Sequence, residues 1–135
     1  MVIFAQNCYC YPFRHNRNPC KRRSQHRAKI YWHASGFGED VEKHPELAEH
    51  FGMSTVEAMG AGVVPVVINT GGQKEIVTDG ENGLLWNTLE ELLEKTKQVV
   101  QDENLRTELS QNAMKRARDF GKERFYNEVQ RLITE

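Results

Sequence analysis

Two glutamates, Glu49 and Glu57, lie eight positions apart in the middle of the chain, on either side of a glycine turn at residues 51–53. The turn precedes a predicted helix, and an apolar segment, residues 63–68, then leads to a second glycine turn at residues 71–72. A helix N-terminus presents free N–H groups to anions, and glycines allow the backbone to approach a ligand closely. Carboxylates accept hydrogen bonds from sugar hydroxyls. Together these residues suit a diphosphate that carries sugars, as in a nucleotide sugar.

Simpler interpretations of these side chains stay open at this point. Ser54 and Glu57 have the spacing of a capping box, in which Glu57 would only complete a helix terminus while Glu49 would be a solvated loop residue. Two carboxylates can also serve as the acid and the nucleophile of a glycoside hydrolase, although a helix start beside glycine loops suits phosphate better. His33, which follows a predicted strand, is either a residue of the crevice or a packed histidine.

Alternating strands and helices are predicted to position these residues in an α/β layer arrangement. Residues 30–34 and 83–86 have the composition of short strands, and residues 63–68 are typical of a strand buried on both faces of a parallel sheet. Helices are predicted to begin at Ser54 and at Gln73. Ligands of open α/β sheets bind beyond the carboxyl ends of the strands, where both glycine turns are expected to lie.

The remainder of the chain is predicted to be helical, beginning with a capping box formed by Thr88 and Glu91 and interrupted near Gly121. Three apolar stripes are expected to pack in the core rather than to form partner sites. They comprise Leu89, Leu92, Leu93, Thr96, Val99 and Val100 in the first helix, Leu105, Leu109, Ala113 and Ala117 in the second, and Phe125, Val129, Leu132 and Ile133 in the third.

Charge divides the 135-residue chain into two regions. Residues 1–28 contain six basic and no acidic side chains, whereas residues 29–135 contain 12 basic and 19 acidic ones. All three cysteines lie in the first region, so the acidic region has no disulfide, which fits a reducing compartment. We predict a loose, basic, Cys-containing extension at residues 1–27 and one domain at residues 28–135. Because no apolar run resembles a membrane span or a signal peptide, a cytoplasmic location is expected.

The basic extension is not expected to bind metal or nucleic acid. Cys8, Cys10 and Cys20, with His15 and His26, lack the paired spacing that marks a zinc site. No recognisable nucleic-acid-binding fold accompanies the basic residues. An unusual start, or a shifted reading frame joined to a domain fragment, is the simplest account of this region.

Residues 28–133 resemble the retaining glycosyltransferases of family 4. The motifs that carry the resemblance, in the same order and spacing, are Glu49-His50-Phe51-Gly52, Val56-Glu57-Ala58-Met59, Gly62, Pro65-Val66-Val67, Gly71-Gly72 and Asp79-Gly80-Glu81-Asn82-Gly83-Leu84-Leu85. The resemblance implies a partial Rossmann-like parallel sheet with C-terminal covering helices, part of the C-terminal domain of a GT-B fold. It also implies that a nucleotide diphosphate sugar is bound and its hexose transferred, with retention, to a hydroxyl of a glycan or lipid-linked acceptor.

Residue roles follow from the same resemblance, position by position. It implies that Glu49 is a catalytic residue that binds the donor sugar rather than a nucleophile, and that Glu57 holds the ribose. The transfer needs no metal ion or other cofactor, since the leaving phosphate helps to deprotonate the acceptor. The implied donor-binding residues are Phe51, Gly52, Met53, Thr55, Val56, Glu57, Gly71 and Gly72, with Glu75 as a further candidate. His33 is also a candidate, from its place after a predicted strand and not from the resemblance.

We expect the chain to be a truncated form of such an enzyme, without the domain that holds the acceptor. The basic residues that contact the diphosphate in the family have no counterpart in matching context among Arg14, Lys21, Arg22 and Arg23. Three hypotheses follow. The chain is a transferase fragment that is inactive or weakly active alone, a nucleotide-sugar-binding module without catalysis, or a fold remnant whose exposed sheet edge pairs with another copy.

Overall fold

The computed structural model describes residues 2–4 and 28–134, which form a parallel sheet with helices packed against it. The strands in this part of the chain are β1 (Val2–Phe4), β2 (Ile30–His33), β3 (Val64–Ile68) and β4 (Leu84–Trp86). Their order in the sheet is β1-β2-β3-β4, and every neighbouring pair is parallel. The register places Ile30 opposite Val64, and Val66 opposite Leu84. The predicted α/β class with a parallel sheet is confirmed.

The helices follow the strands along the chain. They are α1 (Met53–Gly60), α2 (Gln73–Ile76), α3 (Leu89–Gln101), α4 (Glu103–Ala117) and α5 (Lys122–Thr134), with 3-10 turns at Pro45–Leu47 and Arg118–Phe120. No helix in the described ranges is long and apolar enough to cross a bilayer. Apart from β1, the strands and helices lie within a few residues of their predicted bounds, because the apolar periods and the glycine turns mark them clearly in the sequence.

Strand β1 lies within the region for which a loose extension was predicted. Val2–Phe4 pairs in parallel with Ile30–Trp32 of β2, and the sequence did not predict this strand. Residues 1 and 5–27 lie outside the described residues, and so do the three cysteines and the two histidines considered for zinc. Among residues 2–4 and 28–134, no group of three His, Cys, Asp or Glu side chains is arranged to hold a metal ion.

Strand β3 is the centre of the core. Its residues are buried along the whole strand, as predicted, because side chains from the helices cover both faces of the sheet. On one face, Tyr31 and Val67 pack with Met59 of α1. On the other face, Val66 packs with residues of α3 and α4, including Leu109. Each such fully buried apolar side chain contributes about 1.5–3 kcal/mol relative to an exposed one, so these two clusters hold the carboxyl edge of the sheet in place.

Helix α3 has the predicted N-cap, and α3 and α4 each bury part of their predicted stripe. The side chain of Asp102 caps α4, which the sequence did not predict. The Thr88 hydroxyl accepts a hydrogen bond from the Glu91 amide, and the Glu91 carboxylate accepts one from the amide of Asn87 rather than from that of Thr88. Leu92 and Val99 are buried against the sheet. The outer positions predicted for the same stripe are instead exposed; these are Leu89, Leu93 and Val100.

The third apolar stripe is not in the core, so its predicted packing is wrong for the described part of the chain. None of the α5 residues is buried, and Phe125, Leu132 and Ile133 are 67%, 75% and 75% exposed. The helix forms with the predicted amphipathic period. Periodicity shows that a helix has an apolar face, and it does not show whether another element covers that face.

Candidate functional site

One segment, residues 49–54, which we call the site loop, contains four of the residues predicted to carry chemistry, namely Glu49, Phe51, Gly52 and Met53. It lies beyond the carboxyl ends of β2 and β3, since His33 ends β2 and the Gly72 amide, after β3, donates to the Glu49 carbonyl at 2.7 Å. Gly52 has a φ of 76°, in the left-handed region that glycine adopts without strain, and it is the N-cap of α1. The loop therefore turns sharply from Glu49 into the helix.

Both oxygens of the Glu49 carboxylate have polar neighbours in the protein. Oε1 accepts hydrogen bonds from the amides of Gly52 at 3.0 Å and Phe51 at 3.3 Å, and Oε2 lies 3.5 Å from Nε2 of His33. Partial burial raises the pKa of Glu49, but the two amide hydrogen bonds and His33 together outweigh it, so the pKa is lowered below its ordinary value. Glu49 is therefore an oriented anion at neutral pH, with its side chain one-third exposed.

His33 lies beneath this carboxylate. Its side chain is 4% exposed, and its ring stacks on Tyr31 with 6.4 Å between the ring centroids. Burial lowers the pKa of His33, and the neighbouring charge of Glu49 offsets this only in part. The imidazole is therefore neutral at pH 7. Its Nδ1 atom is buried and has no hydrogen-bond partner among the described residues.

Tyr31 joins strand β2 to the start of α1. Its hydroxyl shares a hydrogen bond of 2.8 Å with the hydroxyl of Ser54, at the end of the site loop. Burial raises the pKa of Tyr31, and the negative charges of Glu49 and Glu57 raise it further, against the opposing hydrogen bonds of nearby hydroxyls. Because Ser54 lies in the first turn of α1, the helix that carries Glu57, the hydrogen bond between Tyr31 and Ser54 joins β2 to α1.

The predicted capping box at the start of α1 is wrong. The helix begins at Met53, after Gly52, which has no side chain to cap it. The hydroxyl of Ser54 forms its hydrogen bond with Tyr31 and not with the helix amides. Glycine in the left-handed conformation starts the helix earlier than the sequence pattern indicated. Glu57 is exposed on α1, and its carboxylate makes no hydrogen bond or ion pair with the described residues. The interpretation of Glu57 as a mere helix cap is thereby excluded.

The amides around the helix start differ in their availability. Those of Phe51 and Gly52, predicted to face a diphosphate, already donate to Glu49. The next two amides, of Met53 and Ser54, have no acceptor in the described part of the chain. They are the open N–H groups that the first turn of a helix leaves for an anion.

Two predicted donor-binding side chains point into the protein, which corrects the prediction for those side chains. Thr55 is fully buried, and its hydroxyl donates to Oε1 of Gln73 at 2.9 Å. Val56 is half-buried and packs against the core cluster that contains Met59. Helical rotation turns both residues inward, so they hold α1 against the sheet and α2 rather than reach a ligand.

The second glycine turn packs directly on the site loop. A Cβ atom built on Gly71 would lie 2.4 Å from the carbonyl oxygen of Glu49, and one on Gly72 would lie 2.3 Å from that of His50. The space that these glycines leave was predicted to admit a ligand. The part of that space that a Cβ atom would take is filled by the backbone of the site loop, so the glycines fix where Glu49 stands.

Glu75 is exposed on α2, and the structure does not join its carboxylate to the site loop. Its carbonyl accepts a hydrogen bond from Arg116 of α4 at 2.6 Å, so this turn is tied to the helices below the sheet edge. The sequence reasoning missed Tyr31 and Gln73 as residues that hold the site. The signal for Tyr31 was available, because residues two apart on a strand, such as Tyr31 and His33, share one face.

The lowered pKa of Glu49 predicts a pH-dependent contribution to stability. A carboxylate with a lowered pKa in the folded state stabilises the fold at pH values above its ordinary pKa, and the contribution is lost as the pH falls through the lowered value. We therefore expect the free energy of unfolding of the wild type to exceed that of Glu49→Gln at neutral pH, with the gap closing in acid. Urea unfolding from about pH 7 to pH 3 measures this gap.

The matched control is Glu94→Gln on α3, an exposed carboxylate without a bond to the described residues. Its difference from the wild type should stay small at every pH. A constant difference between wild type and Glu49→Gln across the pH range would contradict the prediction.

Sequence comparison identifies relatives of this chain. Residues 21–116 match the family described as "Glycosyl transferases group 1". A GDP-Man:Man(3)GlcNAc(2)-PP-Dol alpha-1,2-mannosyltransferase of Dictyostelium discoideum is 33% identical over 91 residues, which cover 67% of this chain and 18% of that protein. An uncharacterized glycosyltransferase of Methanocaldococcus jannaschii is 34% identical over 93 residues, which cover 67% of this chain and 26% of that protein. The chain thus spans less than a third of the length of either relative.

Solved structures share the fold. HepE of Anabaena in complex with UDP is 23% identical, with a TM-score of 0.70 over 83% of this chain and 29% of that one. Its complex with UDP-glucose is 24% identical, with a TM-score of 0.58 over 72% of this chain and 24% of that one. The C-terminal domain of the group 1 protein LpcC of Francisella tularensis is 26% identical, with a TM-score of 0.57 over 78% of this chain and 49% of that one. The predicted similarity to the C-terminal domains of GT-B proteins is confirmed.

Proposed function

Because this chain belongs to the group 1 glycosyl transferases, we propose that its site loop binds a nucleotide diphosphate sugar, the donor of a hexosyl transfer. The observation that carries the proposal is the arrangement around Glu49. An ionised, oriented carboxylate stands at the carboxyl edge of the sheet, beside the open amides at the start of α1. The complexes of HepE with UDP and with UDP-glucose support this class of ligand.

The site offers a different contact for each part of such a donor. The amides of Met53 and Ser54 would bind the diphosphate at the positive end of α1. Glu49 would accept a hydroxyl of the hexose, and Glu57, exposed on the same helix, would accept the ribose hydroxyls. Phe51 and Met53 are 58% and 49% exposed and would cover the donor from the side of the loop.

The reaction in the proposal is the retaining transfer of family 4. The bond between C1 of the hexose and the diphosphate oxygen breaks, and the nucleoside diphosphate leaves with the electron pair. The acceptor hydroxyl oxygen bonds to C1 from the same face, and its proton passes to an oxygen of the leaving phosphate. The protein contributes orientation and charge stabilisation, with Glu49 as a binder and not as a nucleophile.

A second candidate is a module that binds the donor without transferring it. The observation in its favour is that the chain spans 18% and 26% of the lengths of its relatives, so an acceptor site need not be included. In the full reaction, a glycan or lipid-linked acceptor would be held by another domain.

Calorimetric titration of the 135-residue chain with UDP-glucose, GDP-mannose and UDP tests the proposal. We expect a single site for at least one nucleotide sugar. Glu57→Gln should weaken the binding of UDP and of UDP-glucose by the same factor, about tenfold, since the ribose is common to both and a hydrogen bond to a charged group contributes about 1.5–3 kcal/mol. Glu94→Gln, which removes an exposed carboxylate from α3, should leave both affinities unchanged.

The absence of binding with all three compounds, in a chain shown to be folded, would refute the proposal. If a donor binds, incubation with glycan acceptors separates the two candidates. Release of nucleoside diphosphate together with a glycosylated product supports transfer, whereas binding without product supports the module.

A further inference from the structure

Strand β2 holds the two ends of the site loop through two side chains. Tyr31 and His33 are two positions apart, so they project from the same face of the sheet, where their rings stack. Tyr31 bonds to Ser54 at the helix end of the loop, and His33 contacts Glu49 at the strand end. The loop is therefore fixed to the rigid core of the sheet at both ends.

The surroundings of His33 determine which of its nitrogens carries the proton. Nε2 lies 3.5 Å from Oε2 of Glu49, and an anionic oxygen requires a donor at that position. Nδ1 is buried and meets no polar partner within the described residues. A lone pair is tolerated there better than an N–H group, which would lose its hydrogen bond to water entirely. The geometry therefore selects the neutral tautomer with its proton on Nε2.

The contacts of the Glu49 carboxylate leave one of its hydrogen-bond acceptor positions for a ligand. A carboxylate has about four lone-pair sites. The amides of Phe51 and Gly52 occupy the two on Oε1, and Nε2 of His33 faces one on Oε2. Among the described residues, nothing occupies the other acceptor position on Oε2, which is left for a ligand hydroxyl. Without His33, no side chain would fix the orientation of Oε2, and the carboxylate could rotate to form hydrogen bonds with water.

We propose that His33 is a positioning residue of the donor site, acting as a neutral Nε2–H donor that aims the remaining acceptor position of Glu49 at one hydroxyl of the donor hexose. The proposal rests on the proposed function, because it assigns the hexose to Glu49. It differs from a packing role for His33, in which only the volume of the ring would matter. The effect of His33 on affinity should therefore depend on the N–H group of the imidazole and appear only with ligands that carry the hexose.

The first test needs no ligand and no variant. Long-range ¹⁵N–¹H NMR correlation of the imidazole of His33 in the unliganded chain reports the protonation of both ring nitrogens. We expect the Nε2–H tautomer at neutral pH. A proton on Nδ1, or a doubly protonated ring at that pH, would overturn the proposal.

The second test compares His33→Gln with His33→Leu. The Gln amide places an N–H donor near the position of Nε2, whereas Leu fills space without a donor. We expect His33→Leu to weaken UDP-glucose binding about tenfold, the effect of losing one hydrogen bond to a charged group, and His33→Gln to restore most of the affinity. Binding of UDP, which has no hexose, should be nearly equal in all three proteins.

The amide NMR signals of Phe51 and Gly52 separate this proposal from the proposed function. In the unliganded protein they should shift in His33→Leu and return toward the wild-type positions in His33→Gln, since they report the orientation of Glu49. If these signals behave as expected but the wild type binds no donor, His33 positions Glu49 and the proposed function fails. If donors bind equally well to His33→Leu and wild type, the positioning role fails. Should the variants not fold, the tautomer measured in the wild type decides.

Discussion

Replacing Glu49 with glutamine is expected to weaken the binding of UDP-glucose by about tenfold to a hundredfold, the range for a hydrogen bond to a charged group. UDP itself should bind almost as well as it does to the wild type. The expectation follows from the placement of the carboxylate. Beyond its contacts with His33 and the amides of Phe51 and Gly52, one acceptor position meets no partner among the described residues. A glutamine oxygen can still accept from these amides, so the loop should keep its shape while the charge is lost.

The comparison with Glu57→Gln makes this result specific. Glu57→Gln should lower the affinities for UDP and UDP-glucose by equal factors, whereas Glu49→Gln should act on UDP-glucose alone. Calorimetry on the two variants with both ligands measures all four effects. An equal loss of UDP and UDP-glucose affinity in Glu49→Gln would place Glu49 at the nucleotide and contradict its assignment to the hexose.

Much of the fold could be predicted from the sequence because its signals are local. The β-branched run that ends at Ile68 predicts a buried strand, and Thr88 before an apolar period predicts a capped helix; both are present. The position of the site loop at one sheet edge was also expected, since loops that follow parallel strands meet there. In each case the information lies within a few residues of the element concerned.

The errors concern contacts between distant segments. No local pattern shows that the Ser54 hydroxyl forms a hydrogen bond with Tyr31 instead of capping the helix. Nor does any local pattern show that the Thr55 hydroxyl donates to Gln73. The exposed stripe of α5 has the same origin, because the covering of an apolar face depends on elements elsewhere in the chain. Composition and spacing identify which residues are suited to chemistry, and long-range packing decides which of them reach the surface.

The second glycine turn gives the strongest expected effect on stability. Gly72→Ala should lower the free energy of unfolding by about 3 kcal/mol, at the upper end of the usual cost of overpacking. The added Cβ would lie 2.3 Å from the carbonyl oxygen and 2.7 Å from the carbonyl carbon of His50, and these backbone atoms cannot rotate away as a side chain can. The φ of Gly72 is −63°, a value that alanine adopts freely, so the cost is purely steric.

Gly80→Ala is the matched control, because at Gly80 alanine would meet backbone strain without a steric clash, whereas at Gly72 it would meet a clash without strain. Gly80 has a φ of 77° but nothing within 4 Å of an added Cβ, so alanine there should cost only about 1–2 kcal/mol of backbone strain. Urea unfolding of both variants compares a clash without strain to strain without a clash. A loss in Gly72→Ala no larger than in Gly80→Ala would show that the two loops do not meet as closely as the structure places them.

The clash should also reach the ligand site. The Gly72 amide donates to the carbonyl of Glu49, so a site loop pushed away from Gly72 takes the Glu49 carboxylate with it. At a temperature where both variants remain folded, Gly72→Ala should therefore bind UDP-glucose more weakly than the wild type, while Gly80→Ala binds it equally well. A binding residue must lie within about 0.5 Å of its productive position. Because the site loop must move by at least several tenths of an ångström to relieve the clash, Glu49 would leave that range. If a folded Gly72→Ala protein bound UDP-glucose with wild-type affinity, donor binding would not depend on the position of Glu49.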